Sequence, residues 1–95
     1  MSERREDVSL QIRDADVVVH ARGDLDGTTA GLLREALQGA LAAGLPVVLL
    51  DLGEVAFMDS AGLAVVVRAQ RLLSRGQRMM LCNVPPRMTR VLQVT

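Results

Sequence analysis

The sequence predicts an α/β domain on a mostly parallel sheet of about four strands, in the order β-β-α-β-α-β-α. Three features predict it. Short extended runs rich in β-branched residues alternate with segments of helical period. The run Val47-Val48-Leu49-Leu50-Asp51-Leu52 is apolar almost throughout, as in strands covered on both faces. Gly44, Gly76 and Pro85-Pro86 fall where elements should end.

The elements follow in order. Residues 8–13, Val-Ser-Leu-Gln-Ile-Arg, alternate apolar and polar. With the turn Asp14-Ala15-Asp16 and the run at 17–21, Val-Val-Val-His-Ala, they predict an N-terminal hairpin. Gly23-Asp24-Leu25-Asp26-Gly27 should break the extended chain, with Asp26 or Thr28 capping a helix over 29–43. Leu33, Ala36, Leu37, Ala40 and Leu41 form its apolar stripe, Gly44 stops it and Pro46 follows. After the strand at 47–52, Gly53-Glu54 should turn the chain into an extended segment, Val55-Ala56-Phe57-Met58. A second helix is expected from Ser60 or Ala61 to Ser74. It should bury Leu63, Val66, Val67 and Leu73, expose Gln70, Arg71 and Arg75, and stop at Gly76. A strand over 78–84 and a third helix from Pro86, with Val91 and Leu92 turned inward, complete the order. Residues 1–7 are polar and expected to be flexible, leaving the domain to 8–95.

Composition narrows the function. The chain has 95 residues, 49% hydrophobic and 23% charged, which suits one soluble domain and excludes wholesale disorder. Eleven basic and eleven acidic residues cancel, and Phe57 is the only aromatic. Both facts argue against a nucleic-acid partner, which calls for a basic surplus and stacking platforms. The N-terminus lacks the apolar core of a signal peptide, and no apolar run spans a bilayer, so a cytoplasmic protein without a membrane partner is expected. Cys82 is the only cysteine; it reads as a small buried hydrophobe, and no intrachain disulfide can form.

Catalytic constellations are sparse. His20 is the only histidine and reads as structural; one His with one Cys excludes the usual zinc sets within a single chain. Asp24 and Asp26 lack the continuation of a calcium loop and read as turn residues. Phosphate-loop and nucleophile-elbow motifs are absent. Ser60 stands out instead. It stands where a helix opens after an extended segment and can itself serve as the N-cap; Asp59 can cap equally well, and would then leave the Ser60 hydroxyl free and exposed. Gly62 should keep the first turn bare for another chain to approach. A small hydroxyl among small residues suits a docking surface that a phosphate can switch.

Phe57-Met58-Asp59-Ser60-Ala61-Gly62-Leu63 resembles the signature of the STAS domain, specifically the bacterial anti-sigma factor antagonists. Gly23-Asp24-Leu25-Asp26 resembles the turn before that family's first helix. Cys82-Asn83-Val84-Pro85-Pro86 with Arg90-Val91-Leu92 resembles the loop into its third. The resemblance implies a switch rather than an enzyme, with no cofactor of its own. Such a protein binds an anti-sigma factor that is also a serine kinase and so releases a sigma factor. The kinase, using ATP, phosphorylates the serine at Ser60, and a serine phosphatase restores it. Asp24, Asp59, Ser60, Ala61, Gly62, Leu63, Asn83 and Pro85 are the implied partner-binding residues. Because Asp24, Ser60 and Asn83 each follow a strand, their loops should share one sheet edge. The alternatives are a constitutive STAS interaction module, transporter-associated or stressosome-like, that Ser60 does not regulate, and a small serine hydrolase or phosphotransferase using Ser60, for which no base is in evidence. The resemblance also implies a further final helix, so a shortened C-terminal end is expected. Met88, Val91, Leu92 and Val94 should then leave an apolar surface that favours self-association.

Overall fold

The computed structural model describes residues 7–88. Its elements are β1 (Asp7–Ile12), β2 (Asp16–Leu25), α1 (Ala30–Ala42), β3 (Val47–Met58), α2 (Ser60–Arg71) and β4 (Arg78–Cys82), with helical backbone again at 86–88. The four strands form one sheet in the order β1-β2-β3-β4. β1 and β2 make the expected antiparallel hairpin, and β2–β3 and β3–β4 are parallel. Asp7, placed by the sequence in a flexible segment, is already paired with Arg22. The remainder of the expected third helix, with Val91, Leu92 and Val94, lies outside the described residues. Met88, expected at an apolar surface, is buried in the core.

The helices pack on one face of the sheet. Val17, Val19, Ala21 and Leu25 of β2 and Val48, Leu50, Leu52 and Val55 of β3 are buried against Leu33, Leu37 and Ala40 of α1 and Val66 and Ala69 of α2. The apolar run of β3 is therefore not covered on both faces by the described residues. Burial alternates along it, with Val47, Leu49 and Asp51 only half-buried on the other side. No helix among the described residues is long and apolar enough to cross a membrane.

Two expected breaks are absorbed into strands. β2 continues through Gly23 to Leu25, and β3 through Gly53 and Glu54 to Met58. The register slips between His20 and Arg22 and again between Gly23 and Asp24, so β3 carries extra residues opposite β2. These are bulges, which bend a strand without ending it. On the β2 side Gly23 sits beside the second slip at φ 85°, a left-handed value that glycine adopts at no steric cost.

The caps also differ from expectation. Thr29 is the N-cap of α1 but makes no side-chain capping bond. Its buried hydroxyl donates to the Asp24 carbonyl at 2.6 Å and accepts from the Asp26 N–H at 2.9 Å. Asp26 accepts instead from the Thr28 N–H and hydroxyl, at 2.9 and 2.7 Å, closing a local turn that holds its carboxyl below the usual range. α2 ends at Arg71 rather than Ser74, and Gly76 lies in the turn before β4 rather than at the helix stop. Gln77 secures that turn. It accepts from the Ser74 N–H and donates to the Leu41 and Leu45 carbonyls at 3.3 and 3.1 Å.

Candidate docking edge around Ser60

The end of β3 delivers Asp59 in an extended conformation, φ −101° and ψ −170°, as the N-cap of α2. Its Oδ1 accepts from the N–H groups of Ala61 at 2.9 Å and Gly62 at 3.3 Å. Its own N–H donates to the Leu25 carbonyl at 3.1 Å, tying the helix start to the end of β2. Asp59 thus satisfies the first turn, and Ser60, the first helical residue, is exposed. Among the described residues no side-chain hydrogen bond engages the Ser60 hydroxyl. Beside it the outer surface of α2 presents Leu63 and Val67, half-buried rather than buried as expected, with Arg68, Arg71 and the exposed Leu72.

Gly62 faces inward, contrary to expectation. A Cβ there would lie 2.7 Å from the Leu25 carbonyl oxygen, 3.0 Å from Met58 Cγ and 3.1 Å from Leu25 Cβ. Its lack of a side chain lets α2 approach its own sheet, and does not open the helix to a second chain. Ala61 and Leu63 remain half-buried.

Asp24 is half-buried and paired in register with Phe57, so β2 and β3 bring it to the edge that carries Asp59 and Ser60. Phe57, which the sequence analysis did not single out as a site residue, is 52% exposed there. The sequence signal is only that Phe57 is the sole aromatic and directly precedes Met58-Asp59-Ser60; its exposure is set by the pairing of β3. Asn83 and Pro85 are placed differently. The last β3–β4 pair is Asp51 with Cys82, and β3 runs seven residues beyond it to Met58. Asn83 is therefore seated beside Asp51 and Gly53. Its amide donates to Asp51 Oδ1 at 3.1 Å, and its backbone takes φ 55°, a left-handed value that asparagine tolerates. Pro85 is half-buried after it. The shared edge thus gathers Asp24 with 57–63, while the overhang of β3 sets Asn83 back along the sheet.

On the open sheet face Ser9, His20, Asp51 and Cys82 form one cross-strand row. His20 Nδ1 lies 3.3 Å from Asp51 Oδ2, and its Nε2 is 3.2 Å from Gln11 Oε1. The Gly53 N–H above all, then the Asn83 amide and His20, hold the Asp51 carboxyl below the usual carboxylate range against its partial burial. Cys82 is half-buried rather than buried; desolvation and the Asp51 charge push its thiol up, away from the reactive thiolate. The network ties β1, β2, β3 and the end of β4 together, so His20 has a structural place in it.

The profile described as Mlab, STAS domain, matches residues 8–95. The chain belongs to the STAS domain family. This STAS domain is 32% identical over 92 residues to the anti-sigma-B factor antagonist of Listeria monocytogenes, covering 93% of this chain and 81% of that one. Its fold is shared with a crystal structure of an anti-sigma factor antagonist from Mycobacterium paratuberculosis, with a TM-score of 0.86 at 24% identity, covering 94% and 76% of the two chains. It is also similar to the Bacillus cell fate determinant SpoIIAA in its phosphorylated form, with a TM-score of 0.75 at 26% identity, covering 93% and 82%. Its mixed sheet with an N-terminal hairpin is the SpoIIAA-like arrangement.

Proposed function

We propose that this STAS domain is a cytoplasmic anti-sigma factor antagonist: it binds an anti-sigma factor that is a serine kinase, frees the sigma factor, and is switched off by phosphorylation at Ser60. The exposed Ser60 hydroxyl, released from capping duty by Asp59, carries the reading. The Listeria relative's name and the phosphorylated state of the Bacillus neighbour support it. The partner supplies the catalytic machinery. Ser60 Oγ takes the γ-phosphoryl group of ATP, ADP leaves and the hydroxyl proton is released, and a serine phosphatase later hydrolyses the ester. The docking surface is Asp24, Ser60, Ala61 and Leu63. Asp59 and Gly62 act behind it by holding the helix start, and Asn83 and Pro85 form a flank.

The charge change is sufficient for a switch. Phosphoserine adds about −1.5 to −2 charges. The α2 N-terminus repays only about 0.3–1 kcal/mol. Asp59 repels the new charge, and an interface would strip its hydration, so binding suffers more than folding. The test is incubation with a purified anti-sigma kinase and ATP, read by intact mass. One added phosphate is expected on the wild type and none on Ser60→Ala. An unmodified wild type that still binds the kinase would favour a constitutive interaction module.

A further inference from the structure

We propose that the groove between α1 and α2 is a second docking site, for an acidic amphipathic helix of a partner protein. The groove goes beyond the Ser60 switch: it shares Ala64, Arg68 and Leu72 with the surface beside Ser60, but Ser60 does not line it. Leu37 of α1 and Ala69 of α2 are buried at its floor, Ala64 leaves its α2 wall low, and Leu72, 57% exposed, lies at the end of that wall. Arg34 stands on the α1 side and Arg68 on the α2 side, both exposed. No carboxylate lines the groove among the described residues. The two ion pairs among those residues, Arg13 with Asp16 and His20 with Asp51, lie elsewhere, so neither rim arginine is neutralised by them. In a chain of zero net charge this is a local cationic frame around an apolar floor.

The chemistry selects the occupant. A small-molecule pocket orients its ligand with convergent polar groups among apolar walls. Here buried Leu37 and Ala69 form the floor, and the polar side chains Arg34, Gln38 and Arg68 are exposed around it rather than converging within it. A helix laid between two helices fills such a groove with apolar residues at i, i+3, i+4 and i+7, and its flanking positions meet the rim. Arginines on both rims, with no acid between them, favour Glu or Asp at those flanks and reject Lys.

An amide-resolved NMR titration of the 95-residue chain tests this. The probe is a peptide of about 18 residues, or five helical turns, with leucine on one face and glutamate on the other. Its control carries lysine in place of glutamate. The glutamate peptide is expected to shift the amides of Leu37, Ala64, Arg68, Ala69 and Leu72 and to leave those of Asp24 and Ser60 in place. It should bind at least about tenfold more tightly than the lysine peptide. The exposed-site double variant Arg34→Glu/Arg68→Glu, checked for native folding by circular dichroism, should reverse that preference, and Ser60→Asp should leave it unchanged. Equal binding of the two peptides, shifts outside the groove, or no shift at saturating peptide would overturn the proposal. So would shifts of the groove amides with protein concentration alone, which would assign the groove to a second copy of the chain.

Discussion

Adding one methyl group at Gly62 tests whether the start of α2 is seated by close backbone approach. The new Cβ would meet the Leu25 carbonyl oxygen at 2.7 Å, well inside contact distance, with Met58 Cγ at 3.0 Å behind it. Met58 can turn aside, but the carbonyl cannot do so cheaply, because it accepts from the Asp59 N–H at 3.1 Å. Relief requires the first turn of α2 to tilt away, and that stretches the Gly62 N–H bond to Asp59 Oδ1, already 3.3 Å long. Overpacking of this kind costs about 1–3 kcal/mol, and a compromised cap adds up to about 1 kcal/mol. The better helix propensity of alanine returns about 0.5–1 kcal/mol. The net expectation for Gly62→Ala is a loss of about 2 kcal/mol, or roughly 8–16 °C in Tm for a domain of this size. Urea and thermal unfolding measure it. Gly27→Ala is the control, since a Cβ there meets nothing within 4 Å, and its Tm should hold or rise slightly. A Gly62→Ala variant as stable as wild type would refute the reasoning.

The charge switch predicts that Ser60→Asp weakens binding to the anti-sigma kinase by about tenfold or more, while Ser60→Ala binds as wild type. Calorimetry with equal affinities for wild type and Ser60→Asp would contradict it. A third prediction concerns Asp51. Its folded pKa is depressed, chiefly by the Gly53 N–H, so its contribution is present above the ordinary carboxylate pKa and lost as pH falls through the folded value. Asp51→Asn should therefore lower stability at neutral pH and flatten its decline between about pH 5 and pH 2. Asp16 and Asp26, also depressed, should keep some slope in the variant. Parallel stability–pH curves would show that Asp51 makes no such contribution.

Element types and order were legible because each rests on a local signal. Leu33, Leu37 and Ala40 mark the buried side of α1 by spacing alone, and Gly44 takes the expected left-handed stop at φ 73°. What failed rests on pairing between distant segments. Gly23 and Gly53 read locally as turns, but the β2–β3 ladder continues past both, and bulges accommodate them. The length of β3 relative to β4 is likewise a tertiary quantity, so the sequence could not show that Asn83 stops beside Asp51. The role of Thr29 is not legible locally, because its hydroxyl serves the strand end before it and not the helix it opens.

The site itself was half legible, for a reason that bears on the switch. Asp59, Ser60, Ala61 and Gly62 are four small or polar residues in a row; their types allow either Asp59 or Ser60 to cap, and do not show that Gly62 faces inward. The structure does. Asp59 closes the helix start and anchors it to Leu25, and Gly62 lets that anchor come close. Both are committed to the fold, which is why Ser60 between them need not be. A hydroxyl with no structural duty can gain a phosphate without releasing any bond that holds the domain together. On the proposed reading, the effect of a phosphate at Ser60 would therefore fall on whatever docks at Asp24, Ser60, Ala61 and Leu63, and not on the bonds that hold the domain folded.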